Sequence, residues 1–336
     1  MERVLIGPGS RRGLGPELER LAVTGAVLVC SRTLAETSPF AREVERLIGE
    51  RHRSTFTGLS QHTPEAAVAA LATEIRGSRA DALISLGGGS VIDGCKVALH
   101  QVGVEPGLHV ALPTTLSGAE FTAPAGVTES ASRQKRRVVD RGTAPRVVIL
   151  DPELTLATPP DLWLGSGMRA LDHAVETLLS PVQDPLAQEL ALMAVPKLLR
   201  ALCRCREDPA ALGPRGEAQV AAWWAALGLA SVPMGPSHSL GKLLGSPFDI
   251  PHGITSAVLL PVVIERTAEL EPERVALLAP AFGVTSATEV APSCRRLAQD
   301  LGLPTTLAGA GLSRADLPRY LDSLPPQWRD PVASAY

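Results

Sequence analysis

Short uninterrupted apolar runs alternate with longer amphipathic stretches over the first 150 residues of the chain. "RVLIG" (3–7), "AVLVC" (26–30), "ALISLGGG" (82–89), "HVALPTT" (109–115) and "PRVVILD" (145–151) lack polar alternation and predict strands buried on both faces. Between them, "PFAREVERLIGERH" (39–52) and "TPEAAVAALATEIRG" (63–77) carry helical periodicity. Strand–helix alternation of this kind predicts a mostly parallel, doubly wound sheet. Beyond about residue 153 the strand signals fade. "SPVQDPLAQELALMAVPKLLRALCR" (180–204), "EAQVAAWWAALGLASV" (217–232) and "EPERVALLAPAFG" (271–283) predict helices, so a second, all-helical domain follows. The adjacent prolines of "DPELTLATPP" (151–160) mark the boundary, giving an α/β dinucleotide-binding domain over 1–153 and a helical substrate domain over 154–336. The proline-rich end, "LPPQWRDPVASAY" (324–336), is expected to be a poorly ordered tail.

Composition narrows the class. The 336 residues are 45% hydrophobic and 20% charged with a net charge of −3, which excludes a disordered chain and argues against a nucleic-acid partner. Aromatics are 3%, too few for base-stacking surfaces. The five cysteines (Cys30, Cys95, Cys203, Cys205, Cys294) are odd in number and mostly in apolar stretches, which predicts reduced core thiols. No run of 18 apolar residues and no leader pattern occurs, so a soluble cytoplasmic protein with no membrane partner is expected.

Three stretches carry candidate chemistry at strand ends. "ISLGGGSVIDGCK" (84–96) reads as strand, three glycines, then a helix capped by Ser90. Gly87, Gly88 and Gly89 let a ligand approach the backbone, and the helix start favours anionic oxygens such as a pyrophosphate. It is neither the GxGxxG fingerprint nor a Walker loop. Thr114, Thr115 and Ser117 end the next strand and could hydrogen-bond a nucleotide. At the end of "VLVCSRT", Ser31 and Arg32 stand where an acidic residue would repel a 2′-phosphate, so both NADH and NADPH remain open.

The histidines divide into two groups. His52, His62, His100 and His109 fall in stretches without evident partners and read as surface or structural. The other three, His173, His238 and His252, lie in the helical half. "SGMRALDHAVE" (166–176) is a helix with one charged face: Arg169 and His173 are four apart, with Asp172 and Glu176 beside them. His238 and His252 bracket "HSLGKLLGSPFDIPH", with Lys242 four after the first. Three histidines facing one site would make a zinc or iron set. A carboxylate commonly completes such a set at the position that Arg169 holds.

"GGGSVIDGCK", "PTTLSGAEFT", "SGMRALDHAVE" and "HSLGKLLGSPFDIPHG" occur in the order and at roughly the spacing of the iron-containing alcohol dehydrogenase superfamily, which the chain resembles over nearly its whole length. The resemblance implies the dehydroquinate synthase-like fold: an N-terminal Rossmann-like α/β domain, a C-terminal helical domain and an active site in the cleft between them. It implies NADH or NADPH as cofactor, with Ser31, Gly87, Gly88, Gly89, Ser90, Asp93, Thr114, Thr115 and Ser117 as cofactor-binding residues, and a homodimer. The short "TTLSGAE" loop and the short chain are closer to maleylacetate reductases, which generally work without the metal. In metal-dependent members the ligands are one Asp and three His. By motif the histidines are His173, His238 and His252, and the Asp position is Arg169.

A unit positive charge 4 Å from another is repelled by roughly 4 kcal/mol at an effective dielectric of 20, and a divalent ion doubles this. Arg169 is therefore expected to replace the ion and to favour an anionic keto or enol acid, with Arg169, His173, His238, Lys242 and His252 as the catalytic set. The proton is expected from one of His173, His238 or His252, since an unperturbed imidazole near pKa 6.5 suits that task, with His252 and Lys242 as the first candidates. Two alternatives stand beside this. Arg169 could pair with Asp172 or Glu176 and only shape its helix. Or the three histidines could suffice for iron or zinc in an alcohol dehydrogenase acting on small neutral alcohols and aldehydes.

Overall fold

The computed structural model describes residues 1–103, 108–129 and 135–336. The chain forms two compact units, 1–158 and 159–336. The first contains a six-stranded sheet of β1 (Arg3–Ile6), β2 (Ala26–Cys30), β3 (His52–Phe56), β4 (Ala82–Gly87), β5 (Leu108–Pro113) and β8 (Val147–Leu150), and a separate hairpin of β6 (Pro124–Thr128) and β7 (Lys135–Val139). The sheet order is β1-β8-β5-β4-β2-β3 and every pairing is parallel. Its helices are α1 (Leu14–Arg20), α2 (Arg32–Thr37), α3 (Phe40–Ile48), α4 (Glu65–Ser78) and α5 (Gly89–Val102).

The apolar runs of the central strands follow from burial on both faces. Ala26, Leu28 and Cys30 of β2 join Leu14, Leu18, Val44 and Ile48 of α1 and α3 on one face. Val27 and Val29 join Val68, Leu71, Ile75, Val91 and Cys95 of α4 and α5 on the other. Helices on both faces leave no side of the sheet in water, so alternation is lost. β1 is the exception among the expected strands, an edge strand with exposed ends. Two features escaped the pattern. β3 is polar and half-buried at the opposite edge, and the β6–β7 hairpin packs Ala125, Val127 and Val138 against α5. Two histidines expected to have no partner also find one: His52 Nε2 lies 2.9 Å from Thr55 Oγ1 on β3, and His100 Nδ1 lies 2.8 Å from Oδ2 of Asp140, just after β7. His109 is fully buried on β5, bonded to Ser85 Oγ at 2.8 Å.

The first unit extends five residues past the expected boundary at 153. Leu154 is buried in its core and Thr158 Oγ1 donates to the Thr114 carbonyl at 2.7 Å, so the turn before the two prolines belongs to the sheet.

The second unit is helical: α6 (Pro160–Leu178), α7 (Pro185–Glu207), α8 (Leu212–Ala226), α9 (Gly228–Ser231), α10 (Pro236–Phe248), α11 (His252–Leu270), α12 (Pro272–Ala276), α13 (Ala279–Phe282), α14 (Ala287–Asp300), α15 (Leu317–Ser323) and α16 (Pro326–Ala333). α6 starts with Pro160 in its first turn, where the missing N–H costs nothing. From Trp163 to Leu178 every residue of α6 is buried, because α7, α8 and α11 surround it. The expected poorly ordered tail, 324–336, is instead mostly the helix α16, which follows α15. Leu324 and Val332 are almost fully buried, as is Tyr320 of α15, in one cluster with Leu240, Leu244 and Val258. The cysteines are unpaired, and four of them are buried. No helix among the described residues is long and apolar enough to cross a membrane.

Candidate functional site

The second unit brings the charged stripe of α6 against two other helices. Arg169, Asp172, His173 and Glu176 recur at helical spacing and so share one face. All four are buried, with Asp172 at 0% and Glu176 at 1% exposure. α11 reaches this face because its backbone closes directly onto α6. A Cβ placed on Gly253 would sit 2.3 Å from the Gly165 carbonyl carbon, so only glycine permits the approach. One turn along from His252, Ser256 then meets the stripe. Its Oγ donates to Asp172 Oδ2 at 2.6 Å and accepts from Arg169 Nη1 at 3.1 Å. Arg169 Nη1 also donates to Asp172 Oδ2 at 3.0 Å, closing a triangle. Nη2 donates to Nδ1 of His238, in the first turn of α10. The His173 and His238 ring centroids are 6.2 Å apart.

The positions expected to be catalytic are thus resolved individually. Arg169, His173 and His238 converge. Lys242 lies one turn beyond His238 and is exposed at the surface of α10. His252 opens α11, and its ring packs toward Gly245 of α10, whose added Cβ would meet His252 Cε1 at 3.0 Å. His238, Lys242 and Gly245 recur at helical spacing on α10, so this ring lies along the same stripe. Sequence reasoning missed Ser256. Its signal was the four-residue spacing from His252, which places both on one face of α11.

Burial sets the protonation of this cluster. It pushes the Asp172 carboxyl above the usual carboxylate range, outweighing the attraction of Arg169 and the hydrogen bond from Ser256. Burial, then the Asp172 charge, pushes Glu176 up to about 8. Burial and the Arg169 charge hold His173 and His238 well below the ordinary imidazole value, with Lys242 adding to the effect on His238. Neither ring therefore offers the unperturbed value near 6.5 expected of it; both are neutral at pH 7. Arginine carries no acceptor, so His238 Nδ1 must accept from it, and the neutral ring carries its proton on Nε2.

In the first unit, the chain reverses its direction of travel across the sheet between β2 and β4. The carboxyl ends of strands flanking such a reversal form the ligand crevice of a doubly wound sheet. Ser31 follows one of these strands, and the glycine loop follows the other. Ser31 Oγ accepts from Leu34 N at 3.2 Å and so caps α2. The cap of α5 is Gly88, without a side-chain bond; Ser90 lies inside the first turn rather than capping it. The glycine loop and the loop after β5 touch: a Cβ on Gly89 would lie 2.8 Å from Ser117 Oγ, and one on Gly88 would lie 3.0 Å from Thr115 Cγ2. Thr114 N donates to the Gly87 carbonyl at 3.0 Å. Thr115 Oγ1 is buried and has no hydrogen-bond partner among the described residues. Asp93 is committed inside the unit, with Oδ2 accepting from Gly126 N at 3.1 Å and Oδ1 from Lys96 Nζ at 3.3 Å. Lys96 Nζ also donates to the Ala119 carbonyl at 2.6 Å and to that of Pro124 at 3.3 Å, tying the Ser117 loop and the hairpin to α5.

Residues 2–152 match the family described as iron-containing alcohol dehydrogenase, and residues 164–324 match the C-terminal family of Fe-containing alcohol dehydrogenases. The chain belongs to the iron-containing alcohol dehydrogenase family. Within it, the chain is of the maleylacetate reductase-like branch. It is 33% identical over 320 residues to maleylacetate reductase 1 of Rhodococcus opacus, covering 95% of this chain and 87% of that one. It is 34% identical over 316 residues to the maleylacetate reductase of Pseudomonas knackmussii, covering 94% and 86%. The crystal structure of maleylacetate reductase from Agrobacterium tumefaciens superposes with a TM-score of 0.89 at 28% identity, covering 100% of this chain and 96% of that one. The iron-containing alcohol dehydrogenase fold, a parallel-sheet domain followed by a helical domain, is therefore the fold of this chain, and the protein is an NAD(P)-dependent oxidoreductase.

Proposed function

We propose that this protein reduces an anionic keto or enol acid, maleylacetate or a close chemical relative, with NADH or NADPH and without a catalytic metal. The observation that carries the reading is the buried Arg169 guanidinium bonded to His238, at the position where metal-dependent relatives of the resembling family hold an aspartate.

The nucleotide is supported by the first unit. The Gly87–Gly89 loop at the N-terminus of the 14-residue α5 suits a pyrophosphate, and Thr115 Oγ1 is a buried hydroxyl with no partner among the described residues. Gly87, Gly88, Gly89, Ser90, Thr114, Thr115, Ser117 and Ser31 would hold it, with Asp93 acting behind them through Lys96. Bound there, the nicotinamide supplies the hydride. Gly89→Ala tests the loop. Its Cβ would press on Ser117, and overpacking costs about 1–3 kcal/mol, felt as roughly tenfold weaker nucleotide binding. A fluorescence titration with unchanged Kd would count against the loop as the cofactor cradle.

The cluster does not fit a metal ion. Arg169 brings a permanent positive charge and takes up His238 Nδ1 as an acceptor. Among the described residues, no three His, Cys, Asp or Glu side chains are grouped to hold a cation. In the reading proposed here, Arg169 takes the electrostatic role. Its charge favours an anionic substrate and a developing alkoxide or enolate, while its bond to Nδ1 leaves His238 Nε2–H as the donor toward the carbonyl oxygen. His173 lines the same face as a second neutral imidazole. The proton comes from His252 or Lys242, since His173 and His238 are held neutral.

The deciding experiment is metal content of the purified protein together with NADH and NADPH oxidation against maleylacetate, simple keto acids and aldehydes, before and after chelation. Metal-free protein with chelator-resistant keto-acid reduction is the expected result. About one metal per chain, with aldehyde reduction lost on chelation and restored by iron or zinc, would overturn it in favour of a metal-dependent alcohol dehydrogenase.

A further inference from the structure

We propose that Glu176 is the positioning residue for His238: from α6 it caps the N-terminus of α10 and so fixes the backbone of the histidine whose ring Arg169 holds. The inference rests on the reading that His238 faces the reacting carbonyl.

The first turn of any helix leaves N–H groups without intrahelical partners, and a side-chain oxygen at the N-cap usually satisfies one of them. α10 lacks that option, because its N-cap is Gly235 and Pro236 follows. The missing acceptor comes from another helix. Glu176 Oε2 accepts from Gly235 N at 3.1 Å, and Oε1 accepts from His238 N at 3.3 Å. The fit is tight: a Cβ on Gly235 would lie 2.8 Å from Glu176 Oε1, so a larger residue there would displace the carboxyl. Seven positions separate Arg169 from Glu176, two helical turns along one face of α6. The same face thus restrains His238 twice, the ring through Arg169 Nη2 and the backbone through Glu176. Arg169 alone would fix a ring nitrogen while leaving the helix end free to shift. The cap removes that freedom, so one face of α6 restrains both the ring and the backbone of His238. Glu176 itself is 1% exposed and acts through His238, without touching substrate.

The test uses the full chain in three variants: Glu176→Ala, Glu176→Gln and Gly235→Ala. A displacement on the order of 1 Å at a reacting group costs about 100-fold. Glu176→Ala is accordingly expected to lower kcat roughly 100-fold while nucleotide Kd changes less than twofold. Glu176→Gln keeps one acceptor oxygen and should recover much of that loss. Gly235→Ala, which leaves the carboxyl in place but pushes it aside, should reproduce the kcat loss. The second readout is independent of turnover: the imidazole nitrogen resonances of His238 in 15N-histidine-labelled protein, expected to move in Glu176→Ala and Gly235→Ala and to stay near their positions in Glu176→Gln. Unmoved His238 resonances in both alanine variants would overturn the inference, as would a glutamine variant no better than alanine. Wild-type protein that reduces no keto acid would instead overturn the functional reading, and the resonances would still decide the role of Glu176.

Discussion

Arg169→Ala should lower kcat/KM for a keto acid by about 1000-fold and for a neutral aldehyde by far less. Losing one preorganised group at a developing negative charge costs about 100- to 1000-fold, and the anionic substrate loses attraction to the guanidinium besides. Stability should fall too. Asp172 has 0% exposure, and Arg169 Nη1 is one of its two partners at Oδ2. Breaking a buried pair costs about 3–5 kcal/mol. The loss here should fall at the lower end, because burial already raises the Asp172 pKa and the carboxyl can take up a proton instead of standing charged. The double variant Arg169→Ala/Asp172→Ala separates the two effects. It removes the stranded carboxyl and should regain most of the stability, with no return of keto-acid turnover. Kinetics on both substrates and denaturant unfolding of the three proteins provide the check. Equal losses on keto acid and aldehyde, or activity restored in the double variant, would mean that Arg169 serves only its ion pair. Arg169→Lys keeps the charge but cannot bond Asp172, Ser256 and His238 together from one planar fork, so it should rescue only part of the rate.

Much of this was written in the chain's local patterns. Uninterrupted apolar runs locate the central strands because a parallel sheet buried on both faces leaves a period-2 signal no purpose. The stripe on α6 is legible because 169, 172, 173 and 176 recur at helical spacing, and the alternative partner for Arg169, Asp172, is the one it bonds. What stayed hidden depended on contacts between elements distant in sequence. Ser256 joins the stripe only because Gly253 lets α11 close onto Gly165, some 90 residues earlier. Ser90 looked like the cap of α5, yet Gly88 takes that position. Asp93 is tied within its own unit by Lys96, one turn along α5, and by Gly126, which the hairpin hidden from the sequence pattern supplies. The histidine pKa argument failed for the same reason. A value near 6.5 belongs to a solvated ring, and His173 and His238 are buried beside a guanidinium. The tail was misread because prolines at 325, 326 and 331 suggested irregular chain, whereas they begin or sit within α16, which buries Val332.

Burial of Glu120, in the short turn after Gly118, predicts a pH-dependent stability. Glu120, between Ser117 and the β6–β7 hairpin along the chain, is 2% exposed, and its Oε2 has no hydrogen-bond partner among the described residues. Burial pushes its carboxyl from 4.5 up to about 7, against the pull of its own backbone N–H and of Lys96. A carboxyl raised in the folded state holds its proton there while the unfolded chain has already released one. Its contribution is therefore complete below pH 4.5 and is lost as the pH climbs to about 7. Glu120→Gln carries no titration, so the stability of wild type relative to this variant should fall by about 3 kcal/mol between pH 4.5 and pH 7. His109 runs the other way. Burial lowers it to about 3, so stability rises with pH up to the imidazole's own 6.5. That contribution is common to both proteins and cancels in the difference. Denaturant unfolding of the pair across pH 4.5 to 8 measures it. A flat difference would mean that Glu120 is ionised throughout, held by Lys96 rather than by its own proton.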